Sequence, residues 1–133
     1  MSDIGSRTAK AAADVVNTLE HMESIKEVKT EEVEASARGN RITVLMGDYR
    51  STYQTGRLLK REQDLRLVLD VKGTGSDTPS LLVLTQLIDE TLNDDYRRNG
   101  FAQTTVTPGW TVNEQSRDGA QLETTITLFI SER

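Results

Sequence analysis

TPSLLVLTQLIDETLNDDYRRNG, residues 78–100, decides how this chain folds. Its spacing predicts a helix. Thr78 is placed to act as N-cap, and Pro79 falls in the first helical turn, where its missing N–H costs nothing. Leu81, Leu84, Ile88, Leu92 and Tyr96 recur at steps of three and four and so share one face. Leu82, Val83 and Leu87 widen that face. Asp89, Glu90, Asp94 and Asp95 fall mainly on the other side. Arg97 and Arg98 sit in the expected last turn, where the helix dipole favours cations, and Gly100 reads as the C′ residue. So apolar a helix needs a partner. The segments on both sides alternate like strands, so the expected partner is one face of a sheet.

Just before it, Leu65, Leu67, Leu69 and Val71 alternate with Arg66, Val68, Asp70 and Lys72, which is strand periodicity. The loop at residues 73–77 reads as a flexible connector. Further back, Ile42, Val44 and Met46 alternate with Arg41, Thr43 and Leu45, and Gly47-Asp48 is expected to break that strand. In residues 49–63, Tyr49, Ser51, Tyr53 and Thr55 alternate with Arg50, Thr52 and Gln54, consistent with a strand or a long hairpin arm turning at Gly56. Residues 6–22 read as a first helix, with Ala9, Ala12, Val16 and Leu19 on one face and Ala13, Val15 and Met22 beside it. Residues 24–30 allow a short edge strand, and residues 31–40 are polar and end in a Gly39-Asn40 turn. After Gly100, residues 101–107 read as a strand, interrupted at Pro108-Gly109 and resumed at residues 110–113. Arg117-Asp118-Gly119 is a hairpin signal. Residues 121–131 form the last strand, with Leu122, Thr124, Ile126, Leu128 and Ile130 on one face. The expected fold is α+β: a mainly antiparallel β-sheet with two helices packed on one face, in a single domain over residues 1–133.

Composition narrows the function classes. The chain of 133 residues is long enough for one core. Its net charge of −5 disfavours nucleic-acid binding as a main role, since such modules carry a basic excess. It has no cysteine, hence no disulfide, thiolate metal site or Cys nucleophile. Residues 1–13 lack an apolar core segment, so no signal peptide is expected. The longest apolar run, residues 81–84, is far short of a membrane span, and no membrane partner is expected. Charge is segregated. Residues 1–34 hold four basic and eight acidic side chains, residues 38–66 hold seven and three, and residues 67–133 hold five and ten. A basic middle between acidic flanks suits pairing with copies of the same chain. The plainer reading is solvated loop charge.

Nothing in the sequence spells out catalysis. His21 is the only histidine and reads as a surface or capping residue near the end of the first helix. The pairs Asp89-Glu90 and Asp94-Asp95 point about 100° apart on a helix and form no shared-proton dyad. The run Gly73-Thr74-Gly75-Ser76 precedes a helix as a phosphate cradle would. It lacks both glycine-rich fingerprints, and Asp77 would repel phosphate. The expectation is therefore no enzyme, no catalytic residue, no metal and no cofactor. Trp110 reads as a cap on the sheet core rather than a contact residue. The best candidate contact surface is Tyr49, Arg50, Tyr53, Arg57, Lys60 and Arg61, because Tyr and Arg are favoured at interface hot spots. An ordinary hairpin is the alternative.

Four segments carry a resemblance: LRLVLDVKG (65–73), LLVLTQLIDETLNDD (81–95), GFAQTTVTPGWTV (100–112) and AQLETTITLFIS (120–131). Together with the leading helix and the chain length, their pattern resembles the tail-terminator proteins of long-tailed bacteriophages. It covers most of the chain as an order of elements and does not extend to residues 49–63. The resemblance implies a structural virion protein, located in the tail or neck and assembled in the host cytoplasm. Such proteins form a hexameric ring that caps the head-proximal end of the tail tube, ends tube polymerisation and provides the joint to the neck or head. Implied partners are further copies of the chain, the tail tube protein, a neck or connector protein and, in contractile tails, the sheath protein. Genomic DNA would pass through the lumen without specific binding, which an acidic wall suits. Two alternatives stand beside it: another neck or head–tail connector or completion protein, and a small cytosolic ligand-binding or enzymatic domain, which a deep polar pocket of convergent charges would favour.

Overall fold

A computed structural model of the chain describes residues 4–32, 37, 39–54, 58–102, 104–106 and 109–131. The elements run α1 (Ile4–Glu20), β1 (Glu27–Lys29), β2 (Arg41–Gln54), β3 (Leu58–Lys72), a 3-10 turn (Gly73–Ser76), α2 (Thr78–Asp94), β4 (Thr104–Val106), β5 (Thr111–Ser116) and β6 (Gly119–Ser131). The strands form one sheet in the order β1-β2-β3-β6-β4, and β5 pairs with β6 as well. Among the described residues, only β1 with β2 is parallel, and the other pairings are antiparallel. The fold is α+β.

The alternation read in the sequence fixes which side of the sheet is buried. Ile42 lies opposite Leu69 and Leu69 opposite Leu122; Val44 lies opposite Leu67 and Leu67 opposite Thr124. Facing partners share a sheet face, so one apolar side runs unbroken across β2, β3 and β6. These side chains join Ala11, Val15 and Leu19 of α1 and Leu81, Leu84, Ile88 and Leu92 of α2 in a single core cluster. Each fully buried aliphatic there contributes about 1.5–3 kcal/mol.

Several boundaries differ from the expectations. The buried edge of α1 is Ala11, Val15, Leu19 and, beyond it, Met22, while Ala9 is exposed. The apolar arc of this alanine-rich helix is wide enough to seat either way, and the larger Val15 takes the core position. Asp77 rather than Thr78 caps α2, accepting hydrogen bonds from the Ser80 backbone N–H (3.3 Å) and hydroxyl (2.7 Å). The connector before it is an ordered 3-10 turn. Ser76 donates its hydroxyl to the carbonyls of Gly73 (2.8 Å) and Ser116 (2.9 Å), and Gln115 donates to the Ser76 carbonyl (3.1 Å).

β2 does not break at Gly47-Asp48. Its register with β3 shifts between Met46 and Tyr49, and this bulge absorbs the irregularity. A Cβ on Gly47 would stand 3.1 Å from the Asp64 carbonyl oxygen, so the bulge brings backbone close where a side chain would crowd. The strand expected over residues 101–107 is shorter: Phe101 and Ala102 lie in a turn, β4 is Thr104–Val106, and Thr107 lies outside the described residues. β5 runs on to Ser116, further than expected, and Arg117 and Asp118 make the turn into β6.

α2 stops at Asp94, earlier than expected, and Tyr96 is exposed. Arg98 is therefore not in a last helical turn. It lies in the turn that follows, at φ 50°, and is fully buried. Its guanidinium pairs with Asp14 of α1 (3.3 Å), donates to the Leu92 carbonyl, and lies 3.5 Å from the Thr18 hydroxyl. The turn that ends α2 is thus tied to α1 by a charge.

Candidate functional site

The basic middle of the sequence builds a hairpin, and strand alternation divides its side chains between two faces. Arg50 lies opposite Glu62, on the side of the sheet away from the core. Its Nε donates to Glu62 Oε2 (2.8 Å), and its two terminal nitrogens donate to Asp64 (both 2.9 Å). Thr127 of β6 donates its hydroxyl to Asp64 as well (2.8 Å). The Arg50 hydrogen bonds, with that from Thr127, hold the Asp64 carboxyl below its ordinary value. The two carboxylates raise the affinity of Arg50 for its proton. Arg50 is thus spent on a network joining β2, β3 and β6. Lys60, opposite Thr52, belongs to this same face.

Tyr49 and Arg61 lie on the other face, the one that carries the core further along. Tyr49 lies opposite Gln63, and Arg61 opposite Ser51. Arg61 donates to the Tyr49 hydroxyl, with its guanidinium carbon 5.7 Å from the ring centroid. Nearby on this face Met46 is 80% exposed, whereas Val44, two residues back, is buried. Along β2 the cover therefore ends between Val44 and Met46, whereas on β3 and β6 the same face stays buried at Leu65, Gln63, Leu128 and Ile130. Of the other candidate residues, Tyr53 is placed by its backbone opposite Leu59, and Arg57 lies outside the described residues. The structure thus brings Tyr49 and Arg61 together and sends Arg50 to the opposite side.

A second surface was missed in the sequence. Leu82, Val83 and Leu87 of α2, expected to widen the buried face, are 56%, 68% and 39% exposed. Val83 and Leu87 line a groove of about 400 Å³ together with Pro79, Ser80, Ser24 and Asn40. The signal was present: apolar residues at positions 81, 82, 83, 84, 87 and 88 span a wider arc than one sheet face can cover.

The sheet face opposite the core holds an open concavity of about 620 Å³. Several of its charges are paired with one another. Arg41 lies 3.6 Å from Glu27 and 3.4 Å from Asp70, and Arg66 lies 3.3 Å from Glu123. Gln121 also donates to Asp70 (3.0 Å). The arginines that converge here are spent on these pairs.

Trp110 caps one edge of the core and donates its indole N–H to Asp89 (3.0 Å). Burial raises the Asp89 carboxyl above its ordinary value, and the indole bond opposes that. Asp89 is therefore not part of a freely solvated acidic face. His21 is exposed, its Nδ1 2.7 Å from the Asn17 carbonyl at the end of α1, as a capping residue would be. Among the described residues, no group of three or more His, Cys, Asp or Glu is arranged to hold a metal ion, and no helix is long and apolar enough to cross a membrane. No protein-family model matches the chain, and no curated protein matches it.

Proposed function

We propose that this chain is a structural virion protein that forms a ring on the head-proximal end of a phage tail tube, ends tube polymerisation and provides the joint to the neck or head. The observation that carries the reading is the pair of unlike, uncovered patches on one small chain. One is the β2 part of the hairpin face, where Met46 and Tyr49 are exposed with half-buried Arg61 beside them; the other is the outer side of α2 bearing Leu82, Val83 and Leu87. Contacts that join two different patches propagate from copy to copy and close into a ring when the rotation allows. The order of elements resembles the tail terminators, and the net charge of −5 suits a lumen through which DNA slides. The mechanism is binding. The ring's lower face meets the last layer of tube protein and its upper face meets the neck.

The native mass of the purified chain, measured at micromolar and millimolar concentration, tests the reading. The expected result is a closed ring of six copies of the 14.8 kDa chain. A two-fold dimer that stays a dimer at every concentration would overturn it, because such a contact closes on itself and cannot propagate into a ring.

A further inference from the structure

We infer that the outer face of α2 is the seat for the Met46, Tyr49 and Arg61 flank of the hairpin of a second copy of this chain. The inference rests on the ring-forming reading and specifies its subunit contact.

Val83, Leu87, Glu90 and Asp94 follow one another at steps of four, three and four, so they form one line along α2. All four are exposed. The line is apolar in the first half of the helix and acidic in the second, and Leu82 broadens its apolar part. The hairpin carries the matching order: Met46 and the Tyr49 ring are exposed and apolar, and the guanidinium of Arg61 lies over that ring. A hydrophobic core flanked by opposite charges is the make-up of a specific interface.

The charges also decide which patch meets which. Two α2 faces laid parallel would bring Glu90 and Asp94 against their own kind, and laid antiparallel would set them against the apolar Leu87 and Val83. Two hairpin flanks would bring together Arg61 and Arg61. Only the unlike pairing is complementary, and that pairing is heterologous, as a ring requires.

The chain has no cysteine, so introduced cysteines report without background. An equimolar mixture of M46C and L87C chains, treated with a short bis-maleimide at millimolar concentration, is expected to give a covalent dimer containing one chain of each. In parallel, one variant carries V83D with L87D and another carries M46D with R61E. Met46, Val83 and Leu87 are exposed and Arg61 is half-buried, so thermal melting is used to check that both variants fold. Each variant alone is expected to be monomeric. Mixed one to one they retain one intact junction and are expected to stop at dimers. The weakening of each damaged junction should be tenfold or more, about 1.4 kcal/mol for each factor of ten.

If the wild type forms rings and both variants still do, the inference is overturned while the ring reading stands. If no mixed crosslink forms at millimolar concentration, the inference is likewise overturned, and capping of tube ends then decides the ring reading separately. If both variants fail alone and the mixture yields dimers, the contact is as inferred.

Discussion

Arg98 and Asp14, 84 residues apart in sequence, meet at 3.3 Å between the turn after α2 and the middle of α1. Arg98 is fully buried, and burial lowers its affinity for its proton while raising the Asp14 carboxyl. The partners offset each other's desolvation, with the Leu92 carbonyl taking a further guanidinium hydrogen bond.

Removing one partner should cost more than removing the charge from both. Asp14→Ala strands a buried guanidinium and should destabilise by about 3–5 kcal/mol, whereas Asp14→Ala with Arg98→Met should recover most of the loss. Urea denaturation of the two single variants and the double variant measures this. Equal costs for all three would show that the pair is not coupled. The pH dependence has a definite sign. A carboxyl raised in the folded state binds its proton more tightly there than when unfolded. Its contribution is therefore most favourable below the ordinary carboxylate value and declines as pH climbs through the raised one.

The two sides of α2 should respond in opposite ways. Ile88→Ala removes a fully buried side chain and should cost about 2–5 kcal/mol. Val83→Ala, at a position 68% exposed, should change the stability of the isolated chain by no more than about 0.5 kcal/mol. Denaturation of the two variants at low protein concentration separates them. A large cost at Val83 would mean that this face is already covered within one chain.

That contrast marks where the sequence was legible and where it was not. Period three-to-four identified α2 and its core residues Leu81, Leu84, Ile88 and Leu92. It reports where apolar side chains point, and cannot tell which part of a wide arc the sheet will cover, so Leu82, Val83 and Leu87 were misassigned. Alternation identified β3 and β6 for the same reason that their buried face is continuous. The length of β2 was hidden because Gly47 and Asp48 look like a terminator, while the bulge lets the ladder resume. Arg98 left no local sign, because an arginine near a helix end ordinarily serves the dipole and its partner lies far away in sequence. Tyr49 and Arg61 were recognised as contact candidates by residue type. Their separation from Arg50 depends on register, which only the pairing with β3 sets.

Trp110 and Asp89 make a titration that one fluorophore reports, since the chain has one tryptophan. Burial holds Asp89 above the ordinary carboxylate range, and the indole N–H favours its ionised form. Trp110 emission should therefore change with pH above that range. In Trp110→Phe, carboxyl NMR should find the Asp89 pKa moved further up. A downward move would contradict the hydrogen bond.

The network on the other side of the hairpin predicts acid sensitivity. Asp64 is held below its ordinary value, chiefly by Arg50. Its contribution is present at neutral pH and is lost as pH falls below about 4, through the depressed folded value. Asp64→Asn should be less stable than wild type at neutral pH, and the gap should narrow on acidification. A gap that stays constant to the lowest pH would show that the carboxylate is not used.

The proposed function requires that this chain stop a tube from growing. The most direct measurement is the length of tubes formed from tail tube protein as the purified chain is added, read by electron microscopy. The expected result is that growth halts, that lengths shorten as the chain is added earlier, and that a six-fold ring of added density sits at one end of each tube. Tubes that elongate as before, with no added density at either end, would contradict it.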